Sequence, residues 1–219
     1  MFRESGWDSE ARFDRLLARG GPDLVFAEVD LATGDFAKST YLGRLLSTVR
    51  LDTAQFERAL ASAAKFESDF ELRRTLELAL TTQEIDAPRV LQLIALTQHL
   101  ESDFELRSVL ERVAARGSDP AVAGAYLAAA RRLGSDFERR TALVALLDAS
   151  KLDVTGLAGA LDIAAGLDSD FEKGTVLEKL AASVVADPSL HRRYREVARE
   201  MGEFERGQAL RALDDATAL

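Results

Sequence analysis

A four-residue string, Ser-Asp-Phe-Glu, recurs along this chain at a nearly constant interval, and this recurrence constrains the fold more than any other feature. Weaker copies begin at Gly34 and Gly202. The acidic residues in the second position fall at 35, 69, 103, 136, 170 and 203, so neighbouring copies are 33 or 34 residues apart. The four full copies are Ser68, Asp69, Phe70 and Glu71; Ser102, Asp103, Phe104 and Glu105; Ser135, Asp136, Phe137 and Glu138; and Ser169, Asp170, Phe171 and Glu172. A repeat of this length is a supersecondary unit that buries its apolar face only by stacking on its neighbours.

Each repeat predicts two helices. The Ser-x-x-Glu spacing is that of a capping box, in which the Ser oxygen accepts from the N–H three residues on and the Glu side chain returns to the Ser N–H. Helix A therefore starts at the Ser, and Leu76, Ala79 and Leu80 have the one-sided apolar spacing of a packed helix. Helix B is predicted to start after the N-cap residues Asp52, Asp86, Asp119, Asp153 and Asp187. No segment alternates apolar and polar residues over a useful length, so no strand is predicted.

The pattern predicts an all-α fold, an α-solenoid of about five to six two-helix repeats with a period of 33–34 residues and an N-terminal helical cap. Residues 1–33 are interpreted as the cap or as a degenerate repeat. Residues 34–219 hold the repeats, with units starting near 34, 68, 102, 135, 169 and 202.

The capped helix starts and the aliphatic spacing resemble those of HEAT-like helical repeats. The Ser-Asp-Phe-Glu joint is also similar to repeats in bacterial proteins associated with BlaR-type antirepressor metallopeptidases. This resemblance covers residues 34–213 and implies a non-catalytic accessory region. It carries over no active site, because the chain lacks the His-Glu-x-x-His helix that places two zinc ligands one turn apart.

Composition excludes several classes of protein. The 219 residues include 28 Lys and Arg against 37 Asp and Glu, and the net charge of −9 argues against a nucleic-acid partner, which requires a basic surface. The absence of Cys removes disulfides and thiolate zinc sites. Neither a signal peptide nor an apolar run of the ~20 residues that span a membrane is present. We therefore expect a cytoplasmic chain with no cofactor, no metal and no membrane partner.

The repeated Asp and Phe are interpreted as structural residues. An acidic residue in the first helical turn is favoured by the helix dipole by about 0.3–1 kcal/mol. The Phe is predicted to be an inter-repeat wedge in the core, because an aromatic side chain buries a large area and each one is followed six residues later by a Leu. On this interpretation, truncating Phe104 to Ala costs ~3–5 kcal/mol.

Two surfaces are candidates for partner binding. Arg73, Arg107 and Arg140 recur at one position of helix A, either as a solvated face paired with the capping carboxylates or as a contact stripe for an acidic segment. The second surface is the row of B helices, because solenoids often bind extended ligands along one helical row. Its polar candidates are Arg58, Arg89, Gln92 and Tyr126.

The sequence favours a non-catalytic scaffold that binds a protein or peptide, and it predicts no catalytic residue. A first alternative is a regulatory or sensor segment of a larger bacterial signalling protein. A second is a nucleic-acid enzyme of the HEAT-like DNA glycosylase type. The acidic net charge and the single Trp count against this enzyme, whose groove has to be basic and to hold an extruded base.

Overall fold

The computed structural model describes residues 9–218 of the chain, and within this range every regular element is a helix. The predicted all-α helical-repeat fold is therefore confirmed. Two short 3-10 turns, Thr97–His99 and Ala114–Arg116, extend α5 and α6. The α-helices are α1 (Ser9–Leu31), α2 (Asp35–Thr48), α3 (Thr53–Ala63), α4 (Asp69–Thr82), α5 (Ala87–Leu96), α6 (Asp103–Val113), α7 (Pro120–Ala130), α8 (Asp136–Ala149), α9 (Val154–Ala165), α10 (Asp170–Val184), α11 (Pro188–Arg199) and α12 (Glu203–Thr217).

The chain divides into two compact units, residues 1–109 and 110–219. In the first unit, α2 packs against α1 and against α4, the A helix of the next repeat. Helix α1 is kinked at Gly20 and Gly21, and Gly21 has a φ of 63°, a left-handed conformation that glycine adopts without steric cost. Pro22 follows directly and restarts the helix.

The second unit shows the two helical rows of a repeat fold most clearly. Helix α10 packs between α8 and α12 in the A row, and α9 packs between α7 and α11 in the B row. The core is aliphatic, and the Leu six residues after the repeated Phe lies in it in the first five copies: Leu143 and Leu177 are fully buried here, as are Leu42 and Leu76 in the first unit, whereas Leu210 of the last copy is partly exposed. The periodic Leu was thus a correct indicator of the core.

The predicted starts of the B helices are confirmed. At each start an Asp side chain accepts a hydrogen bond from a backbone N–H in the first turn, and at Asp52 the reciprocal bond from its own N–H to Gln55 completes a capping box. The five N-caps are Asp52, Asp86, Asp119, Asp153 and Asp187.

The A helices begin as predicted, but their capping box is only half formed. Ser68 accepts from the Glu71 N–H at 3.4 Å, whereas the Glu71 side chain does not return to Ser68. The Ser68 N–H instead donates to Asp35 Oδ2 of the preceding repeat at 2.8 Å. Glu71 is left to accept a hydrogen bond from Ser39 Oγ, also in the preceding repeat. The Ser68 N–H and the Glu71 side chain, which the capping-box prediction paired with each other, therefore connect neighbouring repeats instead.

The prediction that the repeated Phe is a buried wedge is wrong. The side chains of Phe70, Phe104, Phe137 and Phe171 are 51%, 53%, 53% and 67% exposed. The reason is helical geometry, because a spacing of six residues rotates the chain by about 240° beyond a full turn and places Phe and Leu on different faces. Buried Leu72, two residues after Phe70, lies about 200° away for the same reason.

Candidate functional site

At four helix starts, the Asp in the second position of the repeated string joins its repeat to the next one. Asp35 Oδ2 accepts hydrogen bonds from the backbone N–H groups of Glu67 at 2.6 Å and Ser68 at 2.8 Å. The same contacts recur from Asp69 to Glu101 and Ser102, from Asp136 to Asp168 and Ser169, and from Asp170 to Gly202. These carboxylates have a structural role, and it consists of hydrogen bonds to the next repeat in addition to the helix-dipole effect.

Arg73 is held on three sides by its own chain. Its guanidinium carbon lies 5.1 Å from the centre of the Phe70 ring, a cation–π distance. Its Nη1 is 2.7 Å from Glu77 Oε2, one turn along the same helix, and its Nε donates to Glu105 of the next repeat. We call this arrangement of Phe70, Arg73, Glu77 and Glu105 the guanidinium stack.

The other two members of the arginine stripe have similar surroundings. Arg140 lies 4.8 Å from the Phe137 ring centre, and its Nε donates to Glu172 Oε2 at 2.6 Å. Arg107 lies 4.9 Å from the ring centre of Phe104. Of the two interpretations of this stripe, these contacts favour the structural one, because the guanidinium groups already contact an aromatic ring, and for Arg73 and Arg140 a carboxylate as well.

Two arginines predicted on the B helices also have structural contacts. Arg58 stacks over Phe26 of α1 at 4.8 Å and pairs with Asp23 and Asp30, both at 3.3 Å. It therefore holds α1 against α3.

Arg89 lies 4.7 Å from the ring centre of Phe56. It donates to the backbone oxygens of Glu84 at 2.7 Å and Leu51 at 3.3 Å. Since these oxygens lie in the links that precede α5 and α3, Arg89 fixes both links.

Tyr126 does not lie on a binding surface, and this prediction was wrong. Its side chain is fully buried in the second unit, and its hydroxyl donates to the backbone oxygen of Ala142 at 2.8 Å. Burial, and secondarily the negative charge of Glu111, raises the pKa of Tyr126 above the ordinary 10.0. The surrounding sequence of α7 is apolar on all sides, which is typical of a buried helix and was the available signal.

Gln92 is the B-helix candidate that lies in an open cavity. A groove of about 290 Å³ separates α3 from α5 in the first unit. Its floor is apolar and its rim is polar, and its sides come from consecutive B helices, as the sequence predicted for the second candidate surface. We call it the α3–α5 groove, and it is lined by Glu57, Leu60, Ala61, Ala64, Gln92, Ala95, Leu96, Gln98 and His99.

Sequence reasoning missed most of the residues that line this groove. Ala61 and Ala95 are small and exposed, although they stand on helices with strong apolar periodicity. Small residues at outward positions next to Leu60 and Leu96 were the signal, since they leave space between two helices where a longer side chain would fill it.

Neither a metal cluster nor a membrane span is found in the part of the chain that is described. Between residues 9 and 218, no group of three or more His, Asp or Glu side chains is arranged to hold a metal ion. No helix in that range has both the length and the apolar character that a membrane crossing requires.

Comparison with known proteins gives no relative. The chain matches no protein-family model, no curated protein and no solved structure.

Proposed function

We propose that this protein is a non-catalytic, HEAT-like helical-repeat scaffold that binds a peptide segment of a partner protein in the α3–α5 groove. The observation that supports this proposal is the groove itself, which combines an apolar floor with a polar rim between neighbouring B helices. Binding sites of this kind use apolar area for affinity and a few polar groups for orientation. The proposal takes the cytoplasm as the compartment in which the protein works.

The lining of the groove indicates the chemistry of the segment. Leu60 and Leu96 form an apolar floor, and Ala61, Ala64 and Ala95 let an incoming backbone approach closely. We therefore expect one aliphatic or aromatic side chain of the partner to enter the groove as an anchor. Its volume, about 290 Å³, suits one such side chain with adjoining backbone.

The rim favours a peptide over a charged metabolite. Gln92 and Gln98 each carry an amide that both donates and accepts, so they match the N–H and C=O groups of a peptide backbone. Glu57 adds a carboxylate to the rim, which would repel a phosphate or a carboxylate.

A substitution that fills the groove tests the proposal. Ala95 is exposed, and Arg is a good helix former, so Ala95→Arg places a long charged side chain across the groove without disturbing α5. The matched control is Ala128→Arg, which makes the same change at an exposed position of α7 outside the groove.

The measurement has two steps. Partners are captured from a lysate of the source cell with each tagged variant, and the affinity of a captured protein is then measured by isothermal titration calorimetry. We expect Ala95→Arg to weaken binding by at least about tenfold, about 1.4 kcal/mol, and the control to bind like the unmodified chain. Equal binding by both variants would place the interaction elsewhere, and a failure to capture any partner would argue against a scaffold.

A further inference from the structure

The residue three positions after the repeated Phe differs between repeats, and this difference opens a pocket. This position holds Arg in three consecutive repeats, as Arg73, Arg107 and Arg140, and it holds Gly174 in the next. At Gly174 the guanidinium of the stack is therefore missing from the joint between α10 and α12.

The groups that surround Arg73 are all present around Gly174. Phe70, three residues before Arg73, corresponds to Phe171; Glu77, four residues after it, corresponds to Glu178. The carboxylate of the next repeat, Glu105, corresponds to Glu205. The aromatic ring and both acids of the stack are thus retained where the cation is not.

These three side chains line a cavity of about 140 Å³ between α10 and α12. Thr175, Phe204 and Gln208 complete its wall. The two rings are the most exposed of the repeated Phe residues, at 67% for Phe171 and 69% for Phe204. The volume is several times the ~30 Å³ that a water molecule occupies, which leaves room for a guanidinium and the methylene next to it.

No Lys or Arg is among the described residues that line this cavity. None of the ion pairs among residues 10–218 involves Glu178 or Glu205, and neighbouring Lys179 pairs with Asp148 at 2.8 Å. The side chains of Glu178, Glu205 and Phe171 therefore line a space that corresponds to the one a basic side chain occupies in earlier repeats.

We propose that this α10–α12 pocket binds an arginine side chain of a partner protein. The guanidinium stacks on Phe171 and pairs with Glu178 and Glu205, and so repeats the contacts that Arg73 makes within its own chain. This inference goes beyond the α3–α5 groove and uses none of its residues.

Arginine fits the pocket better than lysine does. The guanidinium is planar, so one face covers the ring while its edge presents several N–H donors to the two carboxylates. An ammonium offers a single point charge that is more strongly hydrated. Within this chain, the residue that stacks on the repeated Phe from three positions further on is also always an arginine, namely Arg73, Arg107 and Arg140.

The test is an NMR titration of the full-length, ¹⁵N-labelled chain with blocked tripeptides. The probes are acetyl-Gly-Arg-Gly-amide and the same peptide with lysine or with citrulline, which keeps the shape of arginine but lacks its charge. We expect the arginine peptide to shift the backbone signals of Gly174 and Glu205 with a Kd of roughly millimolar order, as suits one exposed side chain. The lysine peptide should bind at least about fivefold more weakly, and the citrulline peptide should cause no saturable shift.

Gly174→Arg provides the occupied form of the pocket. A Cβ at Gly174 would lie 3.6 Å from Glu205 Cβ, an ordinary contact, so the first carbon of a new side chain is accommodated at the edge of the cavity that Gly174 lines. We expect this variant to lose the arginine response. Gly124→Arg is the charge-matched control at an exposed position of α7, where a Cβ meets nothing within 4 Å, and it should respond like the unmodified chain.

Arg73→Ala should create a second arginine-binding pocket in the first unit. It removes the internal guanidinium and leaves Phe70, Glu77 and Glu105, so the arginine peptide should now also shift the Glu105 signal. Equal affinity for arginine and lysine, no response at saturating peptide, or an unchanged response in Gly174→Arg would each overturn the proposal. None of these outcomes depends on the α3–α5 groove, and Ala95→Arg should leave the titration unchanged.

Discussion

In three of the four full repeats the repeated Phe stays half exposed, and its ring contacts an arginine rather than the core. Phe104 is 53% exposed and lies under Arg107 at 4.9 Å. A surface cation–π pair of this kind contributes about 0.5–1 kcal/mol, much less than the burial of a phenyl ring. The conspicuous residue of the repeat is therefore not the one that holds it together, and fully buried Leu76 is a better measure of the core.

Phe104→Ala should lower the free energy of unfolding by about 0.5–1 kcal/mol, because it removes the cation–π contact and leaves no cavity. The comparison is Leu76→Ala, which removes a fully buried side chain and should cost about 2–5 kcal/mol. Urea unfolding followed by circular dichroism measures both. A loss above about 3 kcal/mol for Phe104→Ala would mean that this ring is buried after all.

At the scale of the element, the start of an A helix is the place where hydrogen bonds connect two neighbouring repeats. Asp69 starts α4 and accepts from the backbone N–H groups of Glu101 and Ser102 at 2.9 and 2.6 Å. These N–H groups precede α6 and have no intrahelical acceptor, so Asp69 supplies what the helix start lacks. Asp35, Asp136 and Asp170 make the same kind of contact, so α4, α6, α10 and α12 are each positioned by the acid of the repeat before them.

Asp69→Ala should destabilise the chain by about 1–3 kcal/mol, since two N–H groups lose a charged acceptor. Ser102→Ala removes only the local cap at the same helix start and should cost about 0.5–2 kcal/mol. Hydrogen exchange separates the two, because only Asp69→Ala should speed exchange at the Glu101 and Ser102 amides. Unchanged protection at these amides in Asp69→Ala would contradict the inter-repeat role.

For the molecule as a whole, two buried tyrosines connect folding stability to alkaline pH. Tyr126 and Tyr194 occupy equivalent positions of B helices, and their hydroxyls donate to the backbone oxygens of Ala142 and Ala209, both at 2.8 Å. Burial raises the pKa of both phenols above the ordinary 10.0, with a smaller contribution from the charge of a nearby Glu. The folded chain thus keeps both protons at pH values where the unfolded chain has lost them.

Stability should therefore be unaffected by these tyrosines below pH 10 and should fall as the pH rises above it, by up to about 1.4 kcal/mol per pH unit for each one. Urea unfolding at several pH values from 9 upward measures the slope. The variant with both Tyr126→Phe and Tyr194→Phe should lose about 0.5–1.5 kcal/mol per missing hydrogen bond at neutral pH and show a shallower alkaline decline. The same slope in this variant would show that other groups control the decline.

The sequence by itself determined the features that depend on residues a few positions apart. The period of 33 or 34 residues, the all-α class, the Asp caps of the B helices and the Leu positions of the core are all local, and each was predicted correctly. Hydrogen bonds within one turn and the angular period of a helix fix them before any packing occurs.

Only the tertiary structure decided which side chains meet across repeats. Glu105 pairs with Arg73 and the Ser102 N–H with Asp69, over separations of 32 and 33 residues, although the sequence pairs Ser102 and Glu105 with each other. The opening of the α3–α5 groove was also decided at this level. The physical reason is that such contacts depend on how two helices lie against each other, which the order of residues along either helix does not specify.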